Sequence, residues 1–178
     1  MRIVAGRGGL ASIAGWLLLG LGLSPLSGCA STATFSGGVF RQGAVAYRVG
    51  PLPATWQRIR SQGANLAFRH DQGGTIVVSG QCPAQDDAPL SVLTNHLLFG
   101  LSARRETSRE TQTLDGREAL RTQVSGQLDG VHVALDLVVL KKDGCLYDLQ
   151  LISGPDHFAA RQPDFTAFLA GFGTLSGH

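Results

Sequence analysis

Residues 114–151, LDGREALRTQVSGQLDGVHVALDLVVLKKDGCLYDLQL, decide the fold. Three pairs, Asp115-Gly116, Asp129-Gly130 and Asp143-Gly144, recur at a constant spacing of 14 residues. Glycine accepts positive φ without steric cost, and aspartate tolerates it while bonding the local backbone, so each pair reads as a tight hairpin turn. Between the turns, apolar residues alternate. Leu120, Val124 and Leu128 share one parity, as do Val131, Val133, Leu135, Leu137 and Val139, and then Tyr147, Leu149 and Leu151. Successive side chains of a strand point to opposite faces, so each set predicts one core-facing side of an antiparallel meander. Val138 and Leu140 are apolar on the opposite parity, which predicts a central strand covered at one end on both sides.

Outward from this stretch, Asn65 to His70 and Thr75 to Gly80 flank Asp71-Gln72-Gly73-Gly74 and predict a further hairpin, with Leu66 and Phe68 facing Ile76 and Val78. Residues 44–49 predict a short strand. Asp87-Ala88-Pro89 precedes Leu90, Leu93, Leu97 and Leu101, which recur on one helical stripe; Asp87 is the expected cap and Pro89 suits the first turn. Residues 104–113 are polar on both parities and read as an exposed edge strand whose charges discourage intermolecular pairing. Pro163 and Asp164 are expected to open a C-terminal helix that buries Phe165, Phe168, Leu169 and Phe172. The expected fold class is α+β: an antiparallel sheet of about six strands packed with two or more α-helices.

The chain has 178 residues, of which 43% are hydrophobic and 16% charged, which excludes a disordered tail and a polytopic membrane protein. Without Arg2 and Arg7, 13 basic residues meet 13 acidic ones. A neutral body argues against nucleic acid as a partner.

Arg2 and Arg7 are followed by an apolar run, Leu10 to Leu23, broken by Ser24 and Pro25. That is a positive segment and a short apolar segment of an export signal, too short for a membrane span. Leu26-Ser27-Gly28-Cys29 resembles the lipobox of bacterial lipoproteins. The resemblance implies cleavage before Cys29, a diacylglycerol on its sulfur and an acyl chain on its new amine. Several acyl chains hold a protein at a membrane far more firmly than one. Ala30 stands where, in the enterobacterial sorting rule, an Asp retains lipoproteins in the inner membrane, so the expected location is the outer membrane, facing the periplasm. The expected organisation is a signal peptide at 1–28, a lipidated cysteine and flexible tether at 29–43, and one domain at 44–178.

The order of elements, with Leu114-Asp115-Gly116-Arg117-Glu118-Ala119, Asp129-Gly130-Val131, Gly144-Cys145-Leu146-Tyr147 and Phe165-Thr166-Ala167-Phe168, resembles the PsbP-like family from about residue 44 to residue 172. The resemblance implies a fold and supplies no functional residue.

With Cys29 acylated, Cys82 and Cys145 are left in a compartment that permits disulfides. Both share the parity of the buried face. A disulfide is expected, with buried free thiols and a reactive pair as the alternatives. None of the five histidines makes the i, i+4 pair or short cluster that a zinc site needs, so no metal is expected. No Gly-x-Ser-x-Gly elbow and no phosphate loop occurs. Arg104, Arg105 and Arg109, interleaved with Glu106 and Glu110, are the candidate contact for anionic lipid or an acidic partner. No enzyme and no cofactor are expected. The expected function is a membrane-anchored binding or assembly module of a cell-envelope complex. Its alternatives are a lipid or small-molecule binding accessory of an envelope transport system, and a hydrolase.

Overall fold

The computed structural model describes residues 32–84 and 87–175. The chain divides into a unit Met1–Ala30 and a unit Ser31–His178. The first, with the expected signal peptide and Cys29, lies outside the described residues.

The second unit is α+β, and every strand pairing is antiparallel. A small sheet holds β1 (Thr34–Ser36), β2 (Val39–Gln42), β3 (Val45–Arg48) and β11 (Gly173–Thr174), in the order β1-β2-β3-β11. A large sheet has seven strands: β4 (Trp56–Ile59), β5 (Leu66–His70), β6 (Thr75–Gln81), β7 (Ser102–Leu114), β8 (Arg117–Leu128), β9 (Val131–Lys142) and β10 (Cys145–Ser153). Their order is β4-β5-β6-β10-β9-β8-β7. The three Asp-Gly pairs turn β7 into β8, β8 into β9 and β9 into β10, with both residues of each pair at positive φ. The meander is therefore built as its spacing predicts.

Helix α2 (Pro155–Ala170) covers one face of the large sheet, where Val138, Leu140, Leu149 and Leu151 are buried against Phe165, Phe168 and residues of the small sheet. On the other face, helix α1 (Leu90–Leu97) and the turn after it bury Leu98 and Leu101 against Val124, Val133, Leu135 and Leu137. β9 is thus covered on both sides, which explains why its apolar residues occupy both parities.

Three expectations are corrected. The stretch 29–43 is not a tether throughout, because β1 and β2 occupy residues 34–42. Gly37 and Gly38, both at positive φ, turn the chain between them. Phe40 is fully buried and stacks on Tyr47, and Phe35 packs edge-on against Phe68. Three apolar side chains around a Gly-Gly turn outweigh the polar composition.

Helix α1 has only eight residues, since Gly100 at φ +86° turns the chain away before Leu101. Its N-cap position is Pro89 and carries no side-chain cap. Asp87 instead pairs with Lys141 at 3.1 Å. Helix α2 begins at Pro155, whose missing N–H suits the first turn, and not at Pro163. Pro163 sits inside it and forfeits about 3 kcal/mol. Burial of Phe165, Phe168 and Leu169, at ~1.5–3 kcal/mol each, exceeds that cost.

Candidate functional site

Cys82 follows β6 and Cys145 opens β10. These strands pair Gln81 with Leu146, so the two cysteines face each other across the ladder and are joined by a disulfide, with Cα atoms 4.5 Å apart.

Arg104, Arg105 and Arg109 lie on β7, the exposed edge of the large sheet. Two of them are engaged locally. Arg104 Nε donates to the Leu101 carbonyl at 2.9 Å. Arg109 pairs with Glu106 at 2.8 Å and donates to Asn95 Oδ1 at 3.2 Å. Arg105 is exposed and makes no ion pair with a described residue. The ladder to β8 shifts register between Ser102 and Arg105 and again between Glu106 and Ser108. Such bulges, with the charges, blunt an edge against casual pairing.

Beside this edge the molecule presents an apolar tip. Phe99 is 89% exposed, although Leu98 and Leu101 on either side are buried. Those two leucines anchor the turn on Val124 and Val133, so Phe99 is held outward. Ser102 Oγ donates to the Gln127 carbonyl, which sets the turn beside the β8–β9 hairpin. There Leu128 and Val131 face each other and are 41% and 63% exposed. An exposed phenylalanine at the same end of the sheet as two exposed aliphatics has no role in the core.

Sequence reasoning missed a buried ionic cluster. Asp136 is fully buried in the middle of β9. Arg121 grips it with two bonds, Nε to Oδ1 at 2.9 Å and Nη2 to Oδ2 at 2.7 Å, and Gln123 Nε2 adds a third at 3.1 Å. Its hydrogen bonds to Asp136 raise the Arg121 pKa still further, against the burial that lowers it. The sequence signal was a charge inside the apolar run Val133 to Leu140. His132, on the same strand, contacts Gln127 instead, at 3.2 Å.

A second cluster ties both sheets together. Lys142 Nζ donates to the Asp115 carboxylate at 2.6 Å, and the Thr174 amide donates to the same oxygen at 2.8 Å. Thr174 Oγ1 donates to Asp143 at 3.0 Å. Desolvation works to raise the Asp115 pKa, but Lys142 and Thr174 outweigh it and hold the carboxyl below its ordinary value. Asp148, on β10, is the opposite case. Burial pushes its pKa up, against hydrogen bonds from Gln150 and Ser79 that lower it.

Among the described residues no three His, Cys, Asp or Glu side chains converge as metal ligands. His70 Nδ1 accepts the Gln72 amide at 3.0 Å, and the imidazole meets Trp56 edge-on. The grooves are open to solvent. One of about 530 Å³ lies at the β4 edge, lined by Arg58, Ile59, Arg60, Ser61 and Asn65. Another of about 660 Å³ follows α2, between Arg121, Ala159, Pro163 and Thr166. No helix among the described residues is long and apolar enough to cross a membrane.

No family model and no curated protein sequence matches the chain. Similarity is found among solved structures. The chain resembles LpqN, involved in cell envelope biogenesis of Mycobacterium tuberculosis, with a TM-score of 0.53 and 18% identity over 81% of this chain and 90% of that one. It resembles the cyanobacterial PsbP, CyanoP, from Synechocystis, with a TM-score of 0.50 and 16% identity over 87% of this chain and 99% of that one. At such identities the likeness is one of fold. The expected resemblance to the PsbP-like family holds at that level, for a disulfide-bridged α+β domain of two antiparallel sheets and two helices.

Proposed function

We propose that this chain is an exported lipoprotein, acylated on Cys29, whose body is a non-enzymatic binding and assembly module of a cell-envelope complex. Ala30 favours the outer membrane, with the body facing the periplasm. The observation that carries the reading is the outward-held Phe99, at the same end of the large sheet as the exposed Leu128 and Val131 and the start of β7, which carries Arg104 and Arg105. Interfaces favour an aromatic anchor with arginine at its margin. A partner protein with an apolar recess and acidic rim fits this tip. The fold shared with LpqN, whose role is in the envelope of its own organism, supports the same assignment.

The test is a photo-crosslinking side chain at position 99 or 131 in intact cells, with position 166 on α2 as the control. The reading expects one shared adduct at 99 and 131 that weakens in Arg105→Glu and is missing at 166. Identical adduct patterns at all three positions, or no adduct at the tip, would overturn it.

A further inference from the structure

The charge of the body is balanced only in total. Residues 32–70 carry Arg41, Arg48, Arg58, Arg60 and Arg69 and no aspartate or glutamate. All five arginines are exposed, and none makes an ion pair with a described residue. Three of them gather at one place. Thr34 pairs with Arg41 where the chain joins the body, and the adjacent Gln42 accepts a bond from Asn65 Nδ2 at 3.4 Å. Asn65 lines the groove that Arg58 and Arg60 border. Arg58 lies over the ring of Phe35, one residue beyond Thr34, at 5.2 Å from its centroid. Ile59, between the two arginines, is 37% exposed.

We infer that this end of the body, with Arg41, Arg58 and Arg60, is a docking face for anionic lipid headgroups of the membrane to which the chain is tethered. The inference rests on acylation of Cys29. Four residues separate Cys29 from Thr34, and the five steps between the two span at most ~18 Å when fully extended. Whatever surrounds Thr34 therefore lies close to the bilayer. Asn65 accepts the Gly80 amide, which sets Thr34, Arg41 and the groove at the same end of the large sheet as the disulfide and the Asp143-Gly144 turn. Phe99 and Val131 sit at the other end, roughly 36 Å away by the rise of β9. β7 is six strand spacings from β4, or about 29 Å. The tether thus turns the arginine end down and the apolar tip away from the membrane. The anionic headgroup is the complement of clustered guanidinium groups that have no carboxylate of their own.

The test reconstitutes the full mature chain, purified with its acyl chains, into vesicles of phosphatidylcholine alone or with phosphatidylglycerol. Cys29 is blocked and Cys82–Cys145 bridged, so Ser61→Cys or Phe99→Cys supplies the single thiol for a fluorescent label. With phosphatidylglycerol, the label at 61 is expected to lose at least about half its accessibility to an aqueous quencher and to regain it at high salt. The triple variant Arg41→Gln/Arg58→Gln/Arg60→Gln abolishes the effect, and the label at 99 stays accessible throughout. Equal accessibility at 61 in both lipids, or protection at 99 in place of 61, overturns the inference. Mass spectrometry first reports whether the chain is acylated. If it is not, the anchor reading fails separately, and the face is read by flotation of the unacylated chain with the same vesicles. Flotation that needs phosphatidylglycerol and falls on the order of a hundredfold in the triple variant supports the face; flotation indifferent to the three arginines overturns it.

Discussion

Asp136 is the residue on which the large sheet depends most asymmetrically. Its carboxylate has no exposure, and Arg121 and Gln123 together donate three hydrogen bonds to it. Arg121→Met leaves a buried anion and should cost about 3–5 kcal/mol in urea unfolding, whereas Arg121→Met/Asp136→Leu should cost less than the single change. A double variant weaker than the single one would contradict that assignment. Asp115 and Asp148 set opposite pH dependences. The native pKa of Asp115 is depressed below its ordinary 3.8. Its contribution is therefore present above the ordinary value and lost as pH falls through the lower native one. Lys142→Met should flatten the acid-side fall of the urea midpoint. The native pKa of Asp148 is raised, so its ionised form weakens the fold at neutral pH and protonation on acidification relieves this. Asp148→Asn should raise the midpoint at pH 7 relative to the parent protein and leave it unchanged in acid. None of these pairings follows from spacing, because register across the β8–β9 hairpin decides which side chain meets Asp136. A lone charge in the run Val133 to Leu140 signals only that a partner exists.

At the scale of elements, the meander was legible because turn chemistry and alternation agree over residues 114–151. The helices were legible only as apolar faces. Their limits are set by backbone: Gly100 at positive φ ends the chain's approach from α1, and Pro155 opens α2 eight residues ahead of Pro163. The small sheet was hidden because β1 and β2 are three and four residues long and sit in a Ser- and Gly-rich stretch. Its bond to the rest is a close backbone approach. The Gly50 amide donates to the Phe168 carbonyl at 2.9 Å, and a Cβ on Gly50 would overlap the Ala167 carbonyl. Gly50→Ala should therefore push α2 off the β3–β4 connection and lower stability by several kcal/mol, at about the level of a large core truncation. A thermal melt unchanged by this substitution would refute the contact. The disulfide closes a separation of 63 residues, and its removal by Cys82→Ser/Cys145→Ser should cost ~2–4 kcal/mol, measured as a lower urea midpoint under non-reducing conditions.

For the whole molecule, the two ends of the large sheet differ in chemistry. One holds β1, three arginines that make no ion pair with a described residue, and the disulfide; the other holds Phe99, Leu128, Val131 and the start of β7. If the body is anchored at Cys29 as proposed, this polarity would let one end meet the membrane and the other a partner. Composition concealed it, because summing 13 basic against 13 acidic residues erases the absence of any acid before Asp71. The proposed orientation toward a membrane depends on attachment at Cys29, and an intact mass spectrum of the mature protein from membranes tests it most directly. The account predicts a chain starting at Cys29, carrying a diacylglycerol and an acylated amine, and lighter by two hydrogens for the Cys82–Cys145 bridge. A mature chain that begins elsewhere, or one that starts at an unmodified Cys29, would contradict it.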